Sequence, residues 1–317
     1  MSAVIVDQLY KAYGKVQALD GVSFSVNEGE LYGIIGPDGA GKTTLFRILT
    51  TLMLADRGQA QVKGYDVARD YRKIRNTIGY MPGKFSLYQD LTVEENLQFF
   101  ATVFNTTIEE NYHLIADIYR QIEPFKHRMA GKLSGGMKQK LALSCALIHK
   151  PEVLFLDEPT TGVDPVSRKE FWGMLLNLKK QGITILVSTP YMDEATLCDR
   201  IALVQGGAFL EVDTPQGIVA RYPSTLLAVR SGKMHRLLGD LHGYPYVNTS
   251  FSFGTAFHVT LAAEGSPEAL KAYLVQRGHP DVEVQVIPPS VEDCFMLLSH
   301  GTQRHGDTEK DLSFALQ

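Results

Sequence analysis

"GPDGAGKTT" (residues 36–44) is the stretch that decides the fold. It fits the pattern G-x-x-x-x-G-K-[ST], and it directly follows "LYGIIG" (31–36), an apolar run typical of a strand buried on both faces. In such a loop the glycines let the backbone turn tightly and direct amide groups at phosphate oxygens. A helix that begins at about Gly41 adds the positive end of its dipole. The stretch therefore predicts a site for a nucleoside triphosphate.

The side chains of the loop divide the contacts with the nucleotide. Lys42 is expected to reach the β- and γ-phosphates, and Thr43 to place its hydroxyl on Mg²⁺. Asp38 weakens the affinity slightly if its carboxylate faces the phosphates. The residues assigned to nucleotide binding in this loop are Gly36, Pro37, Asp38, Gly39, Ala40, Gly41, Lys42, Thr43 and Thr44.

A second stretch, "VLFLDEP" (153–159), places two carboxylates at the end of an apolar strand. Asp157 is suited to hold Mg²⁺ through water. Glu158, beside it, is suited to orient or deprotonate an attacking water. Together with the phosphate loop, this pair predicts hydrolysis of the bound nucleotide, with Glu158 as the catalytic residue.

A third stretch, "LSGGMKQ" (133–139), places Ser134, Gly135 and Gly136 at the start of a helix. The unpaired amides of a helix start are suited to a γ-phosphate. Within one site this second anion-binding helix end is redundant. It makes sense if it closes the nucleotide site of a different subunit.

The rest of the first two thirds alternates between strand and helix patterns. "EVLFLD" (152–157) and "ITILVS" (183–188) are apolar runs without alternation, and "LTVEENLQFFATVF" opens with Thr92 and Glu95 spaced as a capping box. In "GGMKQKLALSCALIH" one helical face is predicted to carry Met137, Leu141, Cys145 and Ile148. Alternating strands and helices predict an α/β core with its ligands at the carboxyl ends of the strands.

The character of the sequence changes near "ARYPS" (220–224). Strand patterns and two helical patterns then follow in the order β-α-β-β-α-β, with Ser266 as a helix N-cap and Pro267 as the first helical residue. A last helix is predicted around "VEDCFMLLS", before a polar, loosely ordered tail. The predicted domains are residues 1–222 (nucleotide binding), 223–300 (accessory α+β) and 301–317 (flexible tail).

Composition excludes several classes. The net charge of −4 gives no basic field for nucleic acid, and no run of about 18 apolar residues is present that could span a bilayer. The first residues lack the basic start and apolar core of a secretion signal. The three cysteines have no CxxC spacing, which favours reduced core thiols over metal or redox work. We expect a soluble, intracellular protein.

These motifs resemble those of the ATP-binding cassette (ABC) ATPases, and the resemblance covers residues 1 to about 220. "TTGVDP" also matches, and its Asp164 corresponds to the family's D-loop aspartate, which acts across a dimer. Tyr13 stands where the family has an aromatic that stacks on adenine. The resemblance implies a P-loop α/β core with a helical subdomain, followed here by the small α+β domain.

The resemblance also implies partners and cofactors. The family forms head-to-tail dimers that hold two ATP molecules with Mg²⁺, each between one chain's phosphate loop and the other chain's Ser134-type motif. The stretch "FSLYQDLTVEENLQFFA" and the ending "PPSVEDCFMLL" resemble the ABC-2 type export group, which includes drug and polyketide exporters. Members drive separate membrane permease subunits, so this chain is expected in the cytoplasm, peripheral to the inner face of the plasma membrane.

Two positions depart from the family pattern. Gly83, in "GYMPGKFSLY", replaces the Q-loop glutamine, and Pro190, in "LVSTPYMDEA", replaces the switch histidine that contacts the γ-phosphate. Neither residue has a side-chain donor. We expect the chain's own site to hold Mg-ATP and turn it over slowly, while its intact Ser134 motif serves a partner. This favours a heterodimer or a pairing with a second ATPase domain. The alternative is that Glu158 suffices, with Lys84 or Gln89 in place of the glutamine.

Three functions compete on these data. The first is the energy subunit of an exporter, in which Phe85, Leu87 and Tyr88 form a surface that contacts the permease; their other role is packing within the helical subdomain. The second is a soluble ABC ATPase that acts on ribosomes or DNA. The third is a regulatory module that senses ATP with little turnover, an option that Gly83 and Pro190 keep open.

Overall fold

The structure, a computed structural model, describes residues 1–299. The chain divides into two compact units, Met1–Pro215 and a second unit that begins at Gln216. The domain boundary expected from the sequence, after residue 222, falls near the start of the second unit and stays a prediction. The tail expected at residues 301–317 lies outside the described residues.

The first unit alternates strands and helices along most of its length. Its strands are β1 (Ser2–Tyr13), β2 (Val16–Asn27), β3 (Leu31–Ile35), β4 (Arg57–Val62), β5 (Tyr65–Asp66), β6 (Ile78–Met81), β7 (Val153–Asp157), β8 (Thr184–Thr189), β9 (Arg200–Gln205) and β10 (Ala208–Asp213). Its α-helices are α1 (Lys42–Leu49), α2 (Tyr71–Thr77), α3 (Val93–Val103), α4 (Ile108–Tyr119), α5 (Gly135–Leu147) and α6 (Pro165–Lys180).

The central sheet has the strand order β10-β9-β3-β8-β7-β6, and all neighbours are parallel except β10 and β9. Every residue of β3, β7 and β8 is buried, which confirms the three strands expected from their apolar runs. The register pairs Ile35 with Thr189 and Asp157 with Ser188. The carboxyl ends of these strands therefore meet at one edge of the sheet.

A second, antiparallel sheet, in the order β2-β1-β4-β5, packs over α1. The apolar side chains of α1 join a core cluster that includes residues of both sheets. Within it, Phe46 of α1 meets Phe155 of β7 edge to face, at 5.8 Å between ring centroids. Each such buried side chain stabilises the fold by roughly 1.5–3 kcal/mol, so α1 is held firmly at the end of β3.

Helices α3, α4 and α5 form the helical part of the first unit. The capping box of Thr92 and Glu95 at the start of α3 is confirmed, and α4 begins with a second box of Thr107 and Glu110. On α5 the predicted single face is only part of the buried surface. Leu141, Cys145 and Ile148 are buried and Met137 is half-buried, but Leu143, Ser144, Ala146 and Leu147 are buried as well, because α5 contacts both the other helices and the central sheet.

The second unit has the predicted order β-α-β-β-α-β. Its elements are α7 (Pro215–Ala220, at the boundary), β11 (Leu226–Arg230), α8 (Met234–His242), β12 (Val247–Phe253), β13 (Ala256–Leu261), α9 (Pro267–Gln276), β14 (Glu283–Ile287) and α10 (residues 291–299). The sheet is antiparallel throughout, in the order β12-β13-β11-β14, and α8 and α9 share a core with it. Ser266 caps α9 and Pro267 is its first residue, as expected.

Two expectations drawn from composition concern these elements. The three cysteines are buried, and none of them forms a disulfide within residues 1–299, which agrees with core thiols. Within residues 1–299, none of the helices has the length and apolar character needed to cross a membrane.

Candidate functional site

The phosphate loop joins β3 to α1, and two of its glycines stand where no larger side chain fits. A Cβ atom at Gly36 would lie 2.1 Å from the carbonyl oxygen of Val204, and one at Gly41 would lie 2.1 Å from that of Ala18. Gly41 has a φ of 100° and is the N-cap of α1. The path of the loop therefore requires glycine at both positions, and it leads directly into a helix start suited to phosphate.

The remaining residues of the loop divide into exposed and buried ones. Pro37, Asp38 and Gly39 are exposed at the mouth of the loop, whereas Ala40 is buried in the core. Thr43 and Thr44 are the second and third residues of α1. The loop thus presents its outer side to solvent and anchors its inner side in the protein.

Lys42 is a buried cation at the centre of the site. Its side chain is 2% exposed, and its Nζ atom donates to the carbonyl oxygens of Gly36, at 2.8 Å, and Pro37, at 2.9 Å. The third contact of Nζ is an ion pair with Glu158 Oε1 at 3.1 Å. The lysine predicted to bind phosphate and the carboxylate predicted to be catalytic therefore lie in direct contact.

The acidic pair at the end of β7 is held by one serine of the neighbouring strand. Ser188 Oγ donates to Asp157 Oδ1 at 2.7 Å and accepts from the backbone amide of Glu158 at 3.0 Å. Glu158 has a φ of 50°, a backbone conformation that side-chain-bearing residues rarely adopt and that commonly marks functional sites. Ser188 thus fixes both carboxylate residues, and sequence reasoning did not assign it a role.

Tyr13 lies beside the phosphate-loop helix. Its hydroxyl donates to Met53 Sδ at 3.0 Å and lies 3.5 Å from Thr44 Oγ1. The residue is 45% exposed. An exposed aromatic ring next to α1 is in a suitable place for a nucleotide base to stack on it.

The Ser134 motif lies at the N-terminus of α5. Ser134 caps the helix, since its Oγ accepts from the amide of Met137 at 3.3 Å, and both Ser134 and Gly135 are exposed. A Cβ atom at Gly136 would lie 2.9 Å from Ser167 Oγ, so this end of α5 packs closely on α6. Within residues 1–299, no hydrogen bond joins these three residues to Lys42, Asp157 or Glu158. The motif and the phosphate loop are thus two separate places on the chain, and anion binding is predicted for both.

Asp164 is exposed and is the N-cap of α6. Its Oδ1 atom accepts from the amides of Ser167, at 3.0 Å, and Val166, at 3.1 Å. The hydrogen bond from the Ser167 amide keeps the pKa of Asp164 below its usual range. Asp164 therefore stays ionised at neutral pH at the end of the loop that begins with Glu158.

The two departing positions both adjoin the acidic pair. A Cβ atom at Gly83 would lie 3.0 Å from the carbonyl oxygen of Asp157 and 3.8 Å from Glu158 Cβ. Pro190 directly follows Thr189, the last residue of β8. Both positions border the site, and neither contributes a polar side chain to it.

The prediction of a permease-facing surface fails at one of its three residues. Leu87 is only 7% exposed, so the prediction that it forms part of a contact surface is wrong. The side chain of Asn96 accepts from the backbone amide of the next residue, Tyr88, and donates to its carbonyl oxygen. Tyr88 is 50% exposed and meets Phe99 edge to face, at 4.8 Å between centroids. Phe85 is half-buried beneath Lys138.

A glycine-dependent loop between a buried strand and a helix, its buried lysine, and an acidic pair at the end of another strand of the same sheet define a P-loop nucleotide-binding protein. Comparison with known proteins specifies the class further. The family model of the ABC transporter matches residues 19–161. The chain is 38% identical over 296 residues to the probable multidrug ABC transporter ATP-binding protein YbhF of Escherichia coli (strain K12), an alignment that covers 92% of this chain and 50% of that protein.

Two further similarities have broad coverage. The chain is 34% identical over 306 residues to the Nod factor export ATP-binding protein I of Rhizobium sp. (strain N33), which covers 94% of this chain and 98% of that one. A dimeric ATP-binding cassette solved in a post-hydrolysis state with ADP and phosphate superposes with a TM-score of 0.61 at 26% identity, covering 67% of this chain and 98% of that one. The chain belongs to the ABC transporter family, among its ATP-binding proteins.

Proposed function

We propose that this chain binds and hydrolyses ATP to power an ABC-2 type membrane exporter. One observation carries the proposal: the phosphate-loop lysine, Lys42, lies 3.1 Å from Glu158, at the edge of the sheet where β3, β7 and β8 end together. That arrangement puts a cation for the phosphates and a carboxylate for the attacking water in one place. Proteins named as exporter ATP-binding subunits align over nearly the whole chain, which supports the coupling to export.

Magnesium is part of the proposal. Thr43, at the start of α1, and Asp157, at the end of β7, supply the hydroxyl and carboxylate oxygens that Mg²⁺ prefers. Ser188 orients the Asp157 carboxylate, as expected of a group that supports a metal ligand. When bound, the ion would neutralise phosphate charge. The chain's own groups act beside it: Lys42 binds phosphate oxygens, and Glu158 orients the water and accepts its proton.

The proposed rate of hydrolysis at this site is low, because Gly83 and Pro190 offer no side chain to position the water or contact the γ-phosphate. The loss of such contacts typically costs about 10²–10⁴ in rate. Binding suffers less, since Lys42, Thr43 and Asp157 are present. The alternative stays open that Glu158 alone supports turnover, with help from Lys84 or Gln89.

The steady-state ATPase activity of the purified full-length chain tests both statements. We expect slow, magnesium-dependent turnover that Glu158→Gln reduces further, and a rise in turnover for Pro190→His that the matched control Pro190→Ala does not show. Fast turnover by the wild-type chain, abolished by Glu158→Gln, would contradict the low rate and leave the ATPase function intact. Absence of turnover in every variant, even with the partner subunits present, would contradict the ATPase function itself.

The proposed partners are a second ATPase subunit and a membrane permease. Ser134, Gly135 and Gly136 lie exposed or half-exposed at the α5 N-terminus and share no hydrogen bond with Lys42, which fits a role in closing the site of another chain. Asp164 stands nearby as the D-loop residue. A slow own site and an intact motif favour a heterodimer. The complex is proposed to lie at the cytoplasmic face of the plasma membrane, where co-purification with a permease from detergent extracts tests it.

A second candidate is an ATP sensor with little turnover, which Gly83 and Pro190 favour. In that case the chain would bind Mg-ATP tightly, would not accelerate its hydrolysis in any assembly, and would co-purify with no permease. Recovery of a permease together with turnover would exclude it.

A further inference from the structure

Glu194 is a buried carboxylate next to the site, and the proposed hydrolysis assigns it no role. It lies in the turn after β8, in the 3-10 helix Met192–Leu197, and is only 2% exposed. A buried carboxylate is costly unless donors surround it. Glu194 has donors from three separate parts of the chain, so its position is closely specified.

The first two donors are threonine hydroxyls. Thr160 Oγ1 donates to Glu194 Oε1 at 2.8 Å, and Thr189 Oγ1 donates to Glu194 Oε2 at 2.5 Å. Thr160 follows Glu158 by two positions, and Thr189 is the last residue of β8. One carboxylate therefore connects the loop of the catalytic carboxylate with the strand end that precedes Pro190.

The third donor is Arg168 of α6. Its Nε atom donates to Glu194 Oε1 at 3.1 Å, its guanidinium group lies 4.1 Å from the centre of the Tyr191 ring, and the pair is mostly shielded from water. Because Asp164 caps α6, Glu194 also fixes the helix at which the Glu158–Asp164 segment ends. Charged hydrogen bonds of this kind are short and directional.

The segment from Glu158 to Asp164 is thus held at each stage of its course. Ser188 binds the Glu158 amide, the side-chain amide of Gln139 donates to the Pro159 carbonyl, and Glu194 binds the Thr160 hydroxyl. Glu158 itself adopts an unfavourable φ of 50°, which persists only if its surroundings enforce it.

We propose that Glu194 is a positioning residue for ATP hydrolysis. Through Thr160, Thr189 and Arg168, the buried carboxylate of Glu194 holds Glu158 in the position from which the Glu158 carboxylate contacts the attacking water. The inference rests on the proposed ATPase function. Small displacements of a catalytic group cost about 10²-fold in rate. Glu194→Gln keeps the size of the side chain but removes the negative charge that faces Arg168, and it replaces one acceptor oxygen by an amide donor, to which a threonine hydroxyl can no longer donate.

The expected effect is on the transition state and not on the ground state. Glu194→Gln should lower kcat by about tenfold or more and change KM for ATP by less than about twofold. The matched control is Asp193→Asn, because Asp193 is the adjacent residue, contacts the same Arg168, and is 75% exposed. It should leave kcat and KM within about twofold of wild type.

A second measurement does not require fast ATP hydrolysis at the chain's own site. Vanadate with MgADP imitates the phosphate in transit, so the ratio of the affinities for MgADP with and without vanadate reports how well the site fits the transition state. We expect vanadate to tighten MgADP binding to the wild-type chain and to Asp193→Asn. In Glu194→Gln the ratio of the affinities with and without vanadate should be smaller by about tenfold or more. Thr160→Val, which removes one hydroxyl only, should shift the ratio in the same direction by less.

The outcomes separate the two proposals. The positioning role of Glu194 is overturned, and the ATPase function stands, if vanadate tightens MgADP binding equally in the wild-type chain and in Glu194→Gln. The same holds if Glu194→Gln and Thr160→Val lose MgADP binding itself. If vanadate has no effect on the wild-type chain, the proposed hydrolysis at this site fails, and the inference fails with it.

Discussion

Lys42 is the residue on which we expect nucleotide binding to depend. It is a buried cation that contacts two carbonyl oxygens of its own loop and one carboxylate. Charged hydrogen bonds to buried groups are worth about 1.5–3 kcal/mol each. Lys42→Ala is expected to weaken the binding of a fluorescent ATP analogue with Mg²⁺ by about 10–100-fold, whereas Lys15→Ala, at an exposed lysine, should not change it. Undiminished binding by Lys42→Ala would overturn the assignment of the phosphate site.

Ser188 provides a second test among single residues. Its hydroxyl is shared between Asp157 and the amide of Glu158, so Ser188→Ala should lower ATP turnover by about tenfold and the free energy of unfolding by about 1–3 kcal/mol. Thr184→Ala is the control, since Thr184 is a buried hydroxyl at the other end of β8 that accepts from Gly29. It should cost similar stability and leave turnover unchanged. Equal losses of turnover in both variants would mean that Ser188 acts through stability alone.

Sequence reasoning found the residues that follow one another in motifs and missed those that meet across strands. Lys42, Asp157 and Glu158 were predicted because each stands at a fixed place after an apolar run. Ser188 enters the site only through the parallel register of β7 and β8, which a local pattern does not contain. Glu194 is missed for the same reason, since two of its donors, Thr160 and Arg168, come from distant segments.

Among the elements, helix α3 shows how a short local motif sets an acid dependence. The hydrogen bond from the Thr92 backbone keeps the pKa of Glu95 below its usual range. A depressed pKa in the folded state contributes stability above the unfolded-state pKa, and this contribution is lost as the pH falls through the folded-state value. Glu95→Gln should therefore reduce the acid dependence of unfolding below about pH 5.

Acid titration of Tm by circular dichroism measures this effect. Glu109→Gln, in the first turn of α4 but outside its capping box, serves as the matched control and should retain the wild-type acid dependence. An acid dependence that is the same in Glu95→Gln and in the wild-type chain would show that the capping box does not contribute to it.

Some properties of the elements followed from sequence and others did not. The capping boxes and the N-cap of α9 were predictable because they depend on residues three positions apart. The burial of α5 on more than one face was not, because it depends on which helices and strands surround it. The error at Leu87 has the same origin, because nothing in the local sequence shows that Leu87 is buried while the next residue, Tyr88, is exposed.

For the chain as a whole, the separate cores of the two units lead to a prediction about truncation. One core cluster lies entirely between Ala3 and Val204, and another between Leu227 and Val282. Residues 1–222 are therefore expected to fold alone and to bind Mg-ATP with the affinity of the full chain, within about threefold. Thermal unfolding and titration with the ATP analogue measure this, with the Lys42→Ala form of the fragment as control. A fragment that is unfolded or does not bind would contradict the predicted domain boundary.

The order of elements in the second unit was predictable, but their arrangement in the sheet was not. The alternation of strand and helix patterns indicated β-α-β-β-α-β. The placement of β11 in the middle, between β13 and β14, depends on pairings between residues far apart in the sequence.

The contact between Lys42 and Glu158 has a consequence for how the protein meets its ligand. In the structure the positive charge of the loop has an internal counter-ion. On the proposed function, a γ-phosphate bound by Lys42 would take the place of that counter-ion, and the charge balance around the ammonium group would change little. The displaced carboxylate would then be available to a water molecule, so that binding of the nucleotide would prepare its own hydrolysis.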